Sequence, residues 1–399
     1  MRDEANDPHA SPEGERRLAE LAALFFRLGL TAFGGPAAHI AMMEEEVVRR
    51  RKWLSHAEFL DMLGATNLIP GPNSTEMAIH IGHKRAGWAG LLVAGACFIV
   101  PAVTVTLALA WVYVRFGKIP QAGGVLYGIK PVMIAVVLQA LWSLGKSAIK
   151  SRPLGALGAA AALAAAAGVE ELAILFGGGA LAAMWPSGSK PPPTRPDPEE
   201  SKPPPSNLAN LALGGTAGLG GASTAVASSW SLFLVFAKIG SILFGSGYVL
   251  LAFLRADLVE RHHWMTEAQL VDAIAVGQLT PGPVFTTATF VGYVIHGLPG
   301  ATAATAGIFL PAFVFVALSG PLIPRLRASK RAGAFLDGVN VTSLALMAVV
   351  TFQLGRTALV DVVTILIAAC ATFALIKWKV SSVWLILGGA VVGAVWSAL

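Results

Sequence analysis

The sequence predicts an all-α, polytopic membrane protein of two inverted-topology repeats, with broken or re-entrant helices at Phe-Gly-Gly-Pro and Pro-Gly-Pro motifs. Three observations lead there. Hydrophobic residues form 55% of the 399 and charged residues 13%, against about 25% charged in soluble domains. That is too little polar surface for a water-soluble fold of this size and too much apolar content for a disordered chain. Apolar runs alternate with glycine, proline and basic clusters, the pattern of helices that cross a bilayer and turn at its surfaces. Finally, residues 27–72 align without gaps on 238–283 at a constant offset of 211, with 13 identities in 46 positions.

Taken in order, residues 1–17 are a polar tail of mixed charge, without the basic-then-apolar pattern of a cleavable signal. The first repeat, 18–185, opens with an apolar run that stops at Gly34-Gly35-Pro36. Residues 36–48 continue as helix into the charge cluster Glu44 to Lys52. Residues 57–69 end at Pro70-Gly71-Pro72, 73–84 form a short amphipathic piece, and longer runs follow at 86–115, 123–148, 153–167 and 171–185. Residues 186–206 are a proline-rich linker unable to pack a core. The apolar, glycine-rich 207–228 fits one connecting transmembrane helix, and the second repeat runs 230–399. Cys97 and Cys370 lie in apolar runs and read as packing residues; no CxxC spacing suggests zinc.

The repeat extends beyond its gapless core. After one deletion the offset becomes 210, and Gly82/Gly292, Gly87/Gly297, Gly90/Gly300, Pro101/Pro311 and Gly128/Gly338 align. Basic residues then give the orientation. In the first repeat nine lie on one expected side (Arg49 to Lys52, Lys84, Arg85, Lys146, Lys150, Arg152) and two on the other (Arg115, Lys118). In the second the bias reverses, three against six. Inverted repeats with interrupted helices are a transporter architecture. The net charge of +6 therefore reports topology, and no nucleic-acid partner is expected.

The chemistry is expected at the breaks. Proline removes a backbone donor and glycine permits a reversal, and the pieces flanking Pro70-Gly71-Pro72 are shorter than the roughly 20 residues of a straight span. A helix that restarts inside a membrane presents unpaired N–H groups and a partial positive charge, which attract anions. Candidate binding groups are therefore Gly34, Gly35, Pro70, Gly71, Pro72, Asn73, Ser74 and Thr75, with Gly245, Pro281, Gly282, Pro283, Thr286 and Thr287 in the second repeat. Arg27 and Lys238 occupy equivalent places within apolar segments, and Lys130 sits in another. An intramembrane charge costs a few kcal/mol or more, so these are candidate countercharges for an anion. Glu76 and His80 share a helical stripe with Asn73 and His83 and form a candidate proton-coupling pair. The second repeat has Thr287 and Val291 there. No metal site or cofactor is expected. No HExxH, GxSxG, Walker or GxGxxG motif points to an enzyme.

These residues carry a resemblance. Phe33-Gly34-Gly35-Pro36, Trp53-Leu54, Pro70-Gly71-Pro72-Asn73-Ser74-Thr75-Glu76 and the second Pro281-Gly282-Pro283 resemble the chromate ion transporter (CHR) family in its long, two-domain form, over about 20–180 and 230–395. The second repeat departs from the first, with Gly245-Ser246-Gly247 in place of Gly34-Gly35-Pro36. The resemblance implies an inner-membrane protein with two homologous halves of opposite topology, exporting chromate with the proton motive force and conferring resistance to it. It implies chromate and the lipid bilayer as partners; sulfate is the alternative substrate and a homodimer the assembly to be tested. The physics of the ion agrees with export. Two charges crossing 100 mV are worth about 4.6 kcal/mol, which drives a dianion out of an inside-negative cell.

Overall fold

The computed structural model describes residues 12–33, 35–116, 120–184, 227–244, 247–378 and 380–398, which are helical with no strand among them. The linker 186–206, most of 207–228, Gly34 and Gly245 lie outside the described residues. The first half contains α1 (Pro12–Thr31), α2 (Pro36–Glu44) continued by a π-helical turn Glu45–Arg50, α3 (His56–Thr66), α4 (Asn73–Phe116), α5 (Pro120–Ala148), α6 (Arg152–Ala166) and α7 (Glu171–Met184). The second contains α8 (Ser229–Ile242), α9 (Leu250–Leu254) continued by a π-helical turn Arg255–Arg261, α10 (Glu267–Leu279), α11 (Thr287–Ala328), α12 (Lys330–Ala358), α13 (Val362–Phe373) and α14 (Ser382–Ala398).

The expected breaks are present. Between α1 and α2, Gly35 takes φ 79° and Pro36 opens the next helix, where its missing N–H removes nothing. Between α3 and α4 lies Pro70-Gly71-Pro72, with Gly71 at φ 139°; Gly282 sits at φ 84° in the matching place. Ser55 starts α3 with a capping box to Glu58, and Thr266 starts α10 with the same box to Gln269.

A further break divides the long helices. In α4, Ala86 and Gly87 leave helical geometry, Gly87 at φ 58°; in α11, His296 and Gly297 do the same, Gly297 at φ 62°. The chain folds back at each. A Cβ on Gly82 would stand 2.2 Å from the carbonyl oxygen of Gly90, and one on Gly292 would stand 2.3 Å from that of Gly300. Only glycine allows two helical arms to approach this closely. Residues 73–85 are therefore a short arm lying against the long arm 88–116. Together with α3 it forms a hairpin whose tip is Pro70-Gly71-Pro72.

The halves interlock. α5 packs on α13 and α14, and α12 packs on α6 and α7, so each half's last two helices cover the other half's long helix. Gly128 meets Gly389 and Gly338 meets Gly178, backbone against backbone. These contacts are reciprocal, as a two-fold axis between the halves would make them. The largest buried apolar cluster draws on both halves, including Val132, Met133 and Ile174 from the first and Phe236, Phe285 and Met347 from the second.

α4, α5, α11 and α12 contain stretches long and apolar enough to cross a membrane. Large apolar side chains such as Trp142, Leu163, Phe352 and Trp384 stay exposed, which a bilayer accommodates and water penalises. This is an all-α polytopic membrane protein.

Candidate functional site

The cations singled out from sequence are placed first, because each has a carboxylate partner. Arg27 lies 2.8 Å from Glu46, which Arg50 and Arg51 also approach, at 3.2 and 3.5 Å. Lys238 lies 2.6 Å from Asp257, which also pairs with Arg261. Glu46 and Asp257 are themselves equivalent at the offset of 211, so each half repeats one clamp between its first helix and its π-helical turn. The Arg27 side chain is 51% exposed and the Lys238 side chain 35%. Lys130 lies 3.2 Å from Asp272, whose other oxygen accepts from the Tyr113 hydroxyl at 2.9 Å. Expected as free countercharges, all three cations instead neutralise buried carboxylates, the arrangement that makes burying those carboxylates tolerable.

The hairpin tips are likewise engaged. The Gly71 N–H donates to the Leu243 carbonyl at 2.8 Å, and the Gly282 N–H donates to the Ala32 carbonyl at 2.8 Å. Leu243 and Ala32 are equivalent positions, so each tip inserts at the break of the opposite half. The Thr286 hydroxyl donates to Pro283 O at 2.9 Å and that of Thr287 to Val284 O at 2.8 Å. These donors were expected to face an anion; here they close turns and join the halves, because a buried backbone group must find a partner.

Beside the first tip, the short arm of α4 carries unpartnered groups. Glu76 is wholly buried, and neither carboxyl oxygen has a hydrogen-bond partner. Its Oε1 would stand 2.3 Å from a Cβ on Gly71, so the carboxyl group turns back onto the tip. Thr75 Oγ1 and His80 Nε2 are also buried without partners, while Ser74 is 2% exposed. His83 instead stacks edge-on with Trp88, centroids 5.2 Å apart. Intramembrane titratable groups without partners mark ion pathways and proton relays.

A cavity of about 710 Å³ reaches this region. Pro36 and Phe244 bring both interrupted segments to its wall, Asn67 and Asn73 bring the first tip, and Gln139, Asn340 and Ser343 come from α5 and α12. Asn73 Nδ2 donates to Asn67 Oδ1 at 2.8 Å. Of the expected binding residues that the structure describes, only Asn73 is in this wall; Asn67, Gln139, Asn340 and Ser343 were not foreseen. The equivalent place in the opposite half is filled: a void of about 10 Å³ lined by Met133, Ile134, Leu251 and Leu354, the counterparts of Ser343, Leu344, Ile40 and Leu144.

Comparison with known proteins decides the family. The profile of the chromate transporter family matches residues 19–184 and 230–394, both halves of the chain. The chain belongs to the chromate transporter family. A chromate transport protein of Cupriavidus metallidurans is 32% identical over 98% of this chain and 96% of its own length. Another from Pseudomonas aeruginosa is 32% identical over 84% of this chain and 81% of its own length. A probable chromate transport protein of Synechococcus elongatus is 28% identical over 91% of the chain and 90% of its own. No solved structure matches. Within the chromate transporter family, then, the tip hairpins, the paired clamps and the one-sided cavity are features of this chain's structure.

Proposed function

We propose that this protein transports chromate out of the cytoplasm across the inner membrane, driven by the membrane potential and the proton motive force, and so confers chromate resistance. The observation that carries the reading is a cavity with amide and hydroxyl groups in its wall, ending beside the Pro70-Gly71-Pro72 break, in a chain 32% identical along nearly its whole length to a chromate transport protein. The halves are inverted across the membrane, as the reversed basic-residue bias and the reciprocal tip contacts support. Opening on one side and filling on the other is what alternating access between inverted repeats requires. The anion approaches the tip near Asn73 and Ser74. Glu76 and His80 exchange the coupling protons, since they are the unpartnered titratable groups beside that tip.

The clamps Arg27–Glu46 and Lys238–Asp257 hold the interrupted segments in place. Sulfate, another tetrahedral dianion, is the alternative substrate. Uptake of labelled chromate by energised everted vesicles tests the reading. We expect accumulation that collapses with the potential and is weakly relieved by sulfate. No accumulation, or stronger accumulation of sulfate, would contradict it.

A further inference from the structure

We infer that the oxyanion is held in the cavity by neutral amide and hydroxyl groups, chiefly Asn67, Asn73, Gln139, Asn340 and Ser343, and by no unpaired lysine or arginine among the described residues. The inference rests on the transport reading above and states how its site recognises the ion. Among the described residues the cavity wall contains one cation and one anion, Lys150 and Asp337, and they pair at 2.7 Å. The formal charge of this described wall is therefore zero. Arg27, Lys238 and Lys130 are committed to carboxylates and none of them lines the cavity.

The neutral groups are placed to donate. Ser343 is 2% exposed and its hydroxyl has no partner. Asn67 uses its carbonyl oxygen to accept from Asn73, which leaves its amide N–H groups for another acceptor. Asn340 and Gln139 are half-buried on α12 and α5, whose packed helices share the wall. A buried hydroxyl left without a partner costs about 1–3 kcal/mol, a deficit that an acceptor-rich ligand removes. A tetrahedral dianion offers four acceptor oxygens and no donor, matching the donors of this wall.

The comparison of halves points the same way. Asn340 corresponds to Lys130, Ser343 to Met133 and Gln139 to Val349, so none of these three neutral donors recurs in the filled counterpart. A carrier also has to let go: a site must bind well enough to admit the ion and weakly enough to release it. Neutral donors meet that condition for a dianion better than two fixed cations would.

The test is equilibrium binding of chromate, and separately of sulfate, to the purified full-length protein. Asn340→Asp, nearly isosteric, puts a negative charge beside the anion and should weaken chromate binding at least tenfold. Ser343→Ala should weaken it two- to tenfold. The double variant Lys130→Met/Asp272→Asn, which removes a charge pair outside the cavity, should bind as wild type. Gel filtration identifies any variant that misfolds, and Asn67→Leu then takes its place with the same expected loss. Unchanged binding by well-folded Asn340→Asp and Ser343→Ala, or no saturable binding by the wild type, would overturn the inference. Binding without uptake by proteoliposomes would instead remove the transport reading and leave the site standing.

Discussion

Where each half resumes its helix after Pro-Gly-Pro, the first buries a carboxylate, Glu76, and the second a hydroxyl, Thr287. Thr287 satisfies itself within its own turn, whereas Glu76 has no partner. The same split recurs nearby: Asn73 against Val284, His80 against Val291, Ser343 against Met133. By contrast, the kinks at Gly87 and Gly297, the capping boxes, the π-helical turns and the carboxylate clamps are common to both halves. The shared features hold backbone in place; the divergent ones all lie around one cavity and one tip. The scaffold is common to both halves; the polar groups around the cavity and the tip are not.

The largest expected effect tests the shared part. Gly82→Leu and Gly292→Leu should each prevent folding, because a side chain has no room between the arms; detergent-solubilised yield and gel filtration would show it. If only one of the pair fails, the halves are not built alike. The next tests the divergent part. Glu76→Gln should abolish chromate uptake driven by a proton gradient while chromate–chromate exchange in proteoliposomes persists, and Thr287→Val should leave both in place. Equal damage from the two variants would erase the distinction.

A smaller effect should separate the clamps. Breaking a buried ion pair from one side costs about 3–5 kcal/mol, reduced here because Lys238 is about a third exposed. We expect Asp257→Asn to lower thermal stability, Lys238→Met/Asp257→Asn to restore most of it, and Glu46→Gln to cost less, since Arg27 is the more exposed cation. Thermal unfolding in detergent checks the order. The smallest effect concerns one hydrogen bond. Asn73→Val should weaken chromate binding about two- to tenfold, and Val284→Asn should change nothing measurable.

Much of this scaffold could be read from the chain because proline and glycine act locally. Pro70-Gly71-Pro72 breaks a helix wherever it stands, and a fixed offset of 211 exposes its second copy. The clamps were also within reach: Glu46 and Asp257 share the offset of Arg27 and Lys238, so the partner was kept between halves along with the cation. Gly82 and Gly90, eight apart in both halves, signalled the folded-back arm in the same way. The cavity was not legible. Asn67, Gln139 and the pair Asn340 and Ser343 come from three separate places along the chain, and neutral amides and hydroxyls have no spacing signature. Nor could sequence show that α14 covers α5 and α7 covers α12, since glycine-on-glycine crossings depend on how the halves turn toward each other.

The most direct measurement places a single cysteine at Leu144, half-buried in the cavity wall, or at its buried counterpart Leu354, in a chain whose Cys97 and Cys370 are serine, and follows modification by a water-soluble maleimide in reconstituted membranes. At rest Leu144→Cys should react and chromate should slow it, while Leu354→Cys should stay unreactive until transport is energised. Equal reactivity at the two positions, or no protection of Leu144→Cys by chromate, would contradict a single anion-accepting cavity between two otherwise matching halves.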